Sequence, residues 1–361
     1  MRTSAWSFVE PCKKCSKLEL FTAPYVIWGT GRVAQAFYRT YCAPEGKKPI
    51  FWVDSNAAKH GSRIAGIEVV APETFYQHSE DMYAKGGRLS VVIGATGIFL
   101  LEILSLLERR MVKAAVYSAV QLDAACYFSA EHARIEKIAQ KFSDEKSRHI
   151  YRSLIANMKS GRPVDFSLYE PNQYFGNDVI GELARGEVFV DAGVCHGEEI
   201  DRAIHGGGIF VHGFEPDAEN YAYLLKKYEG RDDVCIHPCA LWDKDERLVF
   251  QSNAATPSAS RLAGADAHEE AAGISARPLD DVLQGAACTL LKMDIEGAEY
   301  NALLGAAKTI EQHRPKLAVC VYHSLEDYVR IPELLMERYP FYRFFLRQHS
   351  ATSGETVLYA L

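Results

Sequence analysis

Asp191, Glu215, Asp294, Glu296 and His323 are the residues of this 361-residue sequence whose types and spacing could do chemistry. The first lies in Glu187-Val-Phe-Val-Asp191-Ala-Gly193-Val-Cys-His-Gly197-Glu-Glu199, where an apolar run ends in an acid, two glycines and two further acids. That pattern predicts a buried strand turning sharply into a helix. Backbone N–H groups at the helix start would then face a small ligand, and Gly193 and Gly197 would let it approach closely. A nucleotide phosphate favours a helix start without negative charge. Glu198 and Glu199 suit the helix dipole but repel a pyrophosphate. A cationic nucleoside without phosphate fits better, and S-adenosylmethionine, with its sulfonium, is the candidate cofactor.

Glu215 stands in Phe214-Glu215-Pro216-Asp217 at the end of the next apolar strand, about 20 residues beyond the glycines. At that spacing a carboxylate meets ribose hydroxyls. Pro216 is grouped with it, and Asp217 could instead serve only as a helix cap. Leu241 and Trp242, after the third strand, could pack on an adenine ring or equally lie in the core. In Leu291-Lys292-Met293-Asp294-Ile295-Glu296-Gly297 an apolar strand ends in alternating charge. Strand carboxyl ends in an open α/β sheet line the ligand crevice, which places Lys292, Asp294 and Glu296 at one rim. Lys292 could simply neutralise a carboxylate there. His323 follows the strand Leu317–Tyr322 and is either a general base, a substrate contact or merely hydrogen-bonded. Asp294, Glu296 and His323 are the candidate catalytic residues, and Asp294 also counts among the cofactor contacts. A positioned base contributes about 10²–10⁴-fold. Two carboxylates are too few to define a metal site.

A second strand–glycine–helix unit lies upstream, in Tyr25-Val-Ile-Trp-Gly29-Thr-Gly31-Arg-Val-Ala34, with Asp54 closing the following strand. Gly29, Gly31 and Asp54 form a candidate nucleotide site for NAD or a nucleotide sugar. The chain therefore reads as α/β, with two tandem Rossmann-like domains. A nucleotide-binding domain is expected over 1–122, a helical connector over 123–165 and a second α/β domain over 166–361. Strands are expected at Val188–Asp191, Ile209–Phe214, Val234–His237, Thr289–Asp294, Lys316–Tyr322, Tyr342–Arg347 and Thr356–Ala360. Helical segments should separate the first five, and the last two could pair antiparallel. Gln251–Asp266, rich in Ser, Ala and Thr, reads as a loop over the acceptor pocket. Tyr169, Tyr174 and Phe175 could cover the cofactor or pack a lead-in helix.

The C-terminal half resembles the FkbM family of S-adenosylmethionine-dependent methyltransferases. VFVDAGVCHGEE, GFEPD, CALWDKDERLVF, RPLDDVL, LLKMDIEGAEYNALLGA and PKLAVCVYH carry the resemblance, over about Phe166 to Leu361. It implies a seven-stranded class I methyltransferase fold and a methyl acceptor that is usually a hydroxyl, often on a sugar, glycan or secondary metabolite. The N-terminal half resembles a small nucleotide-binding domain found beside sugar-modifying enzymes, through GTGRVA, WVDSN, IAGIEVVAPE and VVIGAT.

Composition narrows the field. A net charge of -7 argues against nucleic acid as the main partner. Nine cysteines scattered over this length do not make a secreted disulfide scaffold. Cys12 and Cys15 form a lone CxxC with no second pair to complete a zinc site. No signal peptide or membrane span is read, so a cytoplasmic protein is expected. A homo-oligomer is compatible with the sequence. Two rival functions stand beside methyl transfer: a nucleotide-sugar or NAD-binding protein of glycan biosynthesis whose C-terminal domain is not catalytic, and a scaffold in glycan assembly.

Overall fold

Short β-branched and aromatic runs, each stopped by glycine or a polar turn, form the strands of two α/β units. The structure is a computed structural model and describes residues 21, 23–95, 97–160, 168–251, 261–263, 273–350 and 354–361. Cys12 and Cys15 lie outside the described residues. Met1–His132 and Ser153–Val164 make one unit, Ala133–Arg152 and Asp165–Leu361 the other.

The first unit holds β1 (Tyr25–Trp28), α1 (Arg32–Phe37), β2 (Trp52–Val53), β3 (Arg63–Ile64), β4 (Ile67–Val70), α2 (Pro72–Ala84), β5 (Leu89–Ile93), α3 (Gly97–Arg109), β6 (Ala114–Ser118) and α4 (Ala119–Ala130). Its sheet runs β3-β4-β2-β1-β5-β6, parallel except for the β3–β4 pair. Successive side chains of β1 join opposite cores: Tyr25 and Ile27 pack on one face, Val26 and Trp28 on the other. A parallel sheet covered on both faces needs such unbroken apolar strands.

The second unit takes most of α5 (His132–Lys141) and the first half of α6 (Glu145–Ser160). Its main sheet contains β7 (Val188–Ala192), β8 (Phe210–Phe214) and β9 (Val234–His237), followed later by β14 (Leu290–Met293), β15 (Lys316–Cys320), β16 (Phe344–Gln348) and β17 (Thr356–Ala360). The order is β16-β17-β15-β14-β7-β8-β9, with β17 antiparallel to both neighbours. Helices α7 (Glu198–Ile204), α8 (Ala218–Lys227), α10 (Glu299–Gly305), α11 (Ala307–His313) and α12 (Asp327–Arg338) connect these strands.

Two expectations are corrected. The residues between β9 and β14 are not helical throughout. They form a four-stranded sheet of β10 (Ala240–Leu241), β13 (Gly273–Arg277), β11 (Glu246–Gln251) and β12 (Arg261–Ala263), in that order, before α9 (Leu279–Leu283). Of the loop expected over 251–266, residues 252–260 and 264–266 lie outside the described residues, and 251 and 261–263 are strand. The described part of 123–165 is mostly helical, but residues 133–152 do not stand apart as a connector. They are sealed to β16 by polar contacts that a helix alone could not satisfy. Buried Arg347 donates to Asp144 Oδ2 (2.7 Å), Asp178 Oδ1 (2.8 Å) and Ser147 Oγ (2.9 Å), and the Leu346 N–H donates to Ser147 Oγ (2.9 Å). Among the described residues no helix is long and apolar enough to cross a membrane.

Candidate active site

The turn from β7 into α7 is built on three left-handed residues, Gly193 (φ 85°), Cys195 (φ 51°) and Gly197 (φ 81°). Glycine is required at the first because an added Cβ would collide with the carbonyl oxygen of Asp294, which is backbone and cannot give way. At Gly197 the same atom would meet the Tyr228 hydroxyl. The loop is thus pressed between its own neighbours and presents its peptide edge outward. Glu215, at the end of β8, stabilises it: its Oε2 accepts the Cys195 N–H (2.8 Å) and its Oε1 accepts the Asp217 N–H (2.9 Å). Burial raises the Glu215 carboxyl above its usual range, opposed by those N–H groups.

The loop forms one wall of a cavity of about 320 Å³, whose lining includes Gly193, Cys195, Glu198, Glu199, Asp294 and Glu355. Lys292 reaches the same cavity from below. Its ammonium lies 2.8 Å from Asp191 Oδ1, donates to the Gly193 carbonyl (2.8 Å) and sits 5.1 Å from the Tyr174 ring centre. Asp191 and Lys292 are register partners on adjacent parallel strands. Burial lifts the Asp191 carboxyl to about 6, with Lys292 pulling it down. Against its own burial, Lys292 is kept charged above the usual lysine range by Asp191, Asp294 and Glu199. Asp191 is fully buried and is not part of the cavity wall. Asp191 meets Lys292 rather than the cavity, and Lys292 holds the glycine loop.

Asp294, at the end of the adjacent strand β14, is a hub of hydrogen bonds beside the loop. Its Oδ2 accepts the Tyr174 hydroxyl (2.6 Å) and its Oδ1 the Tyr322 hydroxyl (3.3 Å), with His323 Nε2 also 3.3 Å from Oδ1. Burial would favour the neutral acid, but His323, Lys292 and Tyr174 hold Asp294 well below the usual carboxylate range. His323 reaches Glu299 Oε1 through Nδ1 (2.9 Å), while Glu296 Oε2 lies 3.7 Å from Nε2. Burial favours the neutral ring, but Asp294 and Glu299 outweigh it and raise His323 to about 11. A ring that stays charged at neutral pH cannot accept a substrate proton. The expected general base is instead a clamp between two strand-end turns. Glu299 also accepts the N–H groups of Ile295 (2.8 Å) and Gly297 (3.0 Å), fixing the turn in which Glu296 adopts φ 56°. Asp294, Glu299 and His323 offer three ligand atoms close enough for a metal.

The histidine clamp has a pH signature. The folded-state value lies above the unfolded value near 6.5. Its contribution to stability is therefore complete below about pH 6.5 and is lost as pH rises from there towards 11. Urea titrations at about pH 6.5 and pH 9.5 should show the wild type losing more stability than His323→Gln, by up to about 1.4 kcal/mol per pH unit. Equal losses in both proteins would remove the charged clamp.

The remaining expected residues fall elsewhere. Pro216 follows Glu215 into the α8 cap, where Asp217 accepts the Glu219 and Asn220 N–H groups. Leu241 is buried, and Trp242 packs with Ala240, Leu248, Ile274 and Ala276 of the smaller sheet. Neither belongs to the cavity lining. Phe175 packs on Phe189 in the core, whereas Tyr169 is half exposed. Gln173 and Glu355, which bond to each other (2.8 Å), line the cavity with Tyr174 and were not legible as site residues. In the first unit, Gly29 (φ 104°) faces the Gly94 carbonyl, and an added Cβ at Gly31 would meet nothing. Asp54, suggested for ribose hydroxyls, is engaged by the chain itself: by the Thr30 hydroxyl, the Asn56 N–H (2.9 Å) and the Lys59 ammonium (2.9 Å).

Residues 191–349 match the family model described as the methyltransferase FkbM domain. Among solved structures, the chain is similar to methyltransferase FkbM from Methylobacillus flagellatus KT. Identity is 20%, 95% of this chain and 92% of that chain are covered, and the TM-score is 0.66. A likeness at that identity speaks for the fold, here the mixed α/β fold of a Rossmann-like methyltransferase. An rRNA methylase from Streptococcus thermophilus overlaps 50% of this chain and 87% of its own at 12% identity and a TM-score of 0.32. Fibrillarin from Aeropyrum pernix overlaps 51% and 70% at 11% and 0.33. No curated protein matches the chain. The family match supports an S-adenosylmethionine-dependent methyltransferase.

Proposed function

We propose, from the premise of a methyltransferase FkbM domain over residues 191–349, that this chain methylates a hydroxyl of a sugar, glycan or related metabolite. The observation that carries the reading is the acid-lined cavity at the carboxyl ends of β7 and β14. Glu198, Glu199, Asp294 and Glu355 face it, and its one cation, among the lining residues, is already paired with Asp191. A cationic sulfonium suits that field, and a pyrophosphate does not.

S-adenosylmethionine, when bound, supplies a methyl group activated by its positive sulfur. Gly193 and Gly197 would let its nucleoside lie against the loop. Glu215 would take a ribose hydroxyl, since its carboxylate meets the Cys195 and Asp217 N–H groups and the Asn220 side chain and keeps acceptor capacity for one more partner. On the acceptor side, Asp294 would receive the hydrogen bond of the substrate hydroxyl and fix its direction. Its depressed pKa makes it a positioning acceptor rather than a strong base. Glu296, with 36% of its side chain exposed, would pass the proton to solvent. The carboxylate-rich wall favours a donor-rich acceptor such as a polyol. An apolar molecule would strip water from Asp294 and Glu355 and return no hydrogen bonds.

Titration calorimetry with adenosylhomocysteine tests the cofactor half. Glu215→Ala should weaken binding about 10- to 100-fold, the loss of charge-assisted hydrogen bonds. No binding to the wild type would overturn it. Incubation with methyl-labelled cofactor and a panel of sugars and nucleotide sugars tests the acceptor half, and label appearing only on nitrogen or carbon would overturn hydroxyl methylation.

A further inference from the structure

We propose that His212 Nδ1, Cys235 Sγ and His237 Nε2 form a transition-metal site of the zinc class on the β8–β9 edge of the second unit's main sheet. This group plays no part in the cavity described above. His212 and Cys235 are register partners on adjacent parallel strands, and His237 lies two residues beyond Cys235. Side chains two apart on a strand share a face, so all three project from one side of the sheet. Their ligand atoms lie within 4.8 Å of one another.

The two ring nitrogens are 3.1 Å apart. Zinc–nitrogen bonds of about 2.0–2.1 Å at a tetrahedral angle set two nitrogens about 3.3–3.4 Å apart. The nitrogen spacing is therefore within a few tenths of an ångström of a chelating bite, and the two rings, now facing head-on at an inclination of 25°, must each turn for both lone pairs to meet one metal. The sulfur, within 4.8 Å of both nitrogens, needs to close by at most about 1.3 Å to reach the spacing that a zinc–sulfur bond of about 2.3 Å sets. Imidazole and thiolate together select zinc, or copper and nickel, over magnesium and calcium. As the metal–sulfur bond forms, the thiol proton passes to solvent. A water completes four-coordination.

The rings are already braced for such a role. His237 stacks on Phe214 at 4.6 Å, and Phe210 meets His212 edge-on at 5.0 Å. All three ligand residues are half-buried on the edge strand pair, so solvent-borne metal can reach them. The competing account is one proton shared between two neutral imidazoles beside a reduced thiol. It predicts no metal affinity.

Cobalt(II) titration of the full chain, freed of metal by chelation and dialysis, separates the two. One equivalent should bind, with an intense thiolate-to-cobalt absorption and a tetrahedral d–d envelope, and zinc should displace it. Cys235→Ser should abolish the thiolate band. The His212→Ala/His237→Ala variant should weaken binding at least about tenfold. Absence of a stoichiometric complex in the wild type would overturn the site, as would a thiolate band that persists in Cys235→Ser. Should the double histidine variant fail to fold, the near-isosteric serine variant still decides.

Discussion

Replacing Lys292 with methionine is expected to destabilise the second unit by about 3–5 kcal/mol, the cost of leaving one member of a buried ion pair alone. Asp191 has no exposure to solvent and lies 2.8 Å from the Lys292 ammonium. Without the cation it must either stay charged in a dry site or take up a proton at neutral pH. The Gly193 carbonyl loses its donor in the same step. Denaturant titration would measure the loss. In the double variant Asp191→Leu/Lys292→Met most of the stability should return, because an apolar pair can replace a buried ion pair with little penalty. Affinity for adenosylhomocysteine should not return, because the glycine loop remains untethered. Stability and affinity recovering together would show that the pair does not hold the loop.

Gly193→Ala is expected to reduce adenosylhomocysteine affinity about 100-fold or more while leaving a folded protein. Two effects act at one atom. The residue adopts φ 85°, which costs an alanine of the order of 1 kcal/mol or more. The new methyl also points into the Asp294 carbonyl oxygen. Relief requires the β7 loop and the Asp294 turn to part, and both line the cavity. Calorimetry reads the affinity, and circular dichroism reports the fold. Gly181→Ala, where an added Cβ meets nothing, serves as the control. Unchanged affinity in Gly193→Ala would separate this loop from the cofactor.

Local signals were legible in the sequence, and pairings across the fold were not. An apolar run that ends in an acid and a glycine announces a strand turning into a loop, and β7, β8 and β14 fall where that pattern places them. Asp294, Gly193 and Lys292 accordingly share one cavity. The pattern could not say that Asp191 stands directly beside Lys292 in the sheet register, because strand neighbours distant in sequence are set by the whole sheet. It therefore read Asp191 as a ligand contact. His323 shows the same limit. Its place after β15 was visible, but its charge depends on Glu299 and Asp294, which arrive from another strand end. Gln173 and Glu355 come from segments before and after the motif-bearing strands and carry no motif of their own, whereas Tyr174 stood among the aromatics read as able to cover the cofactor. Leu241 and Trp242 were drawn into a small sheet whose short strands lacked a decisive alternation.

The order β16-β17-β15 carries a consequence for biosynthesis. β17 lies later in sequence than every strand of its sheet, yet it is an inner strand, bonded on both sides. A nascent chain emerges from its amino end. Until residues 356–360 clear the ribosome, β15 has an unmatched hydrogen-bonding edge and β16 lacks its strand partner. Through Arg347, β16 also governs the seating of residues 144–147. Assembly of the second unit's main sheet thus waits for β17, and an arrest or frameshift near residue 350 would release a sticky, half-zipped sheet.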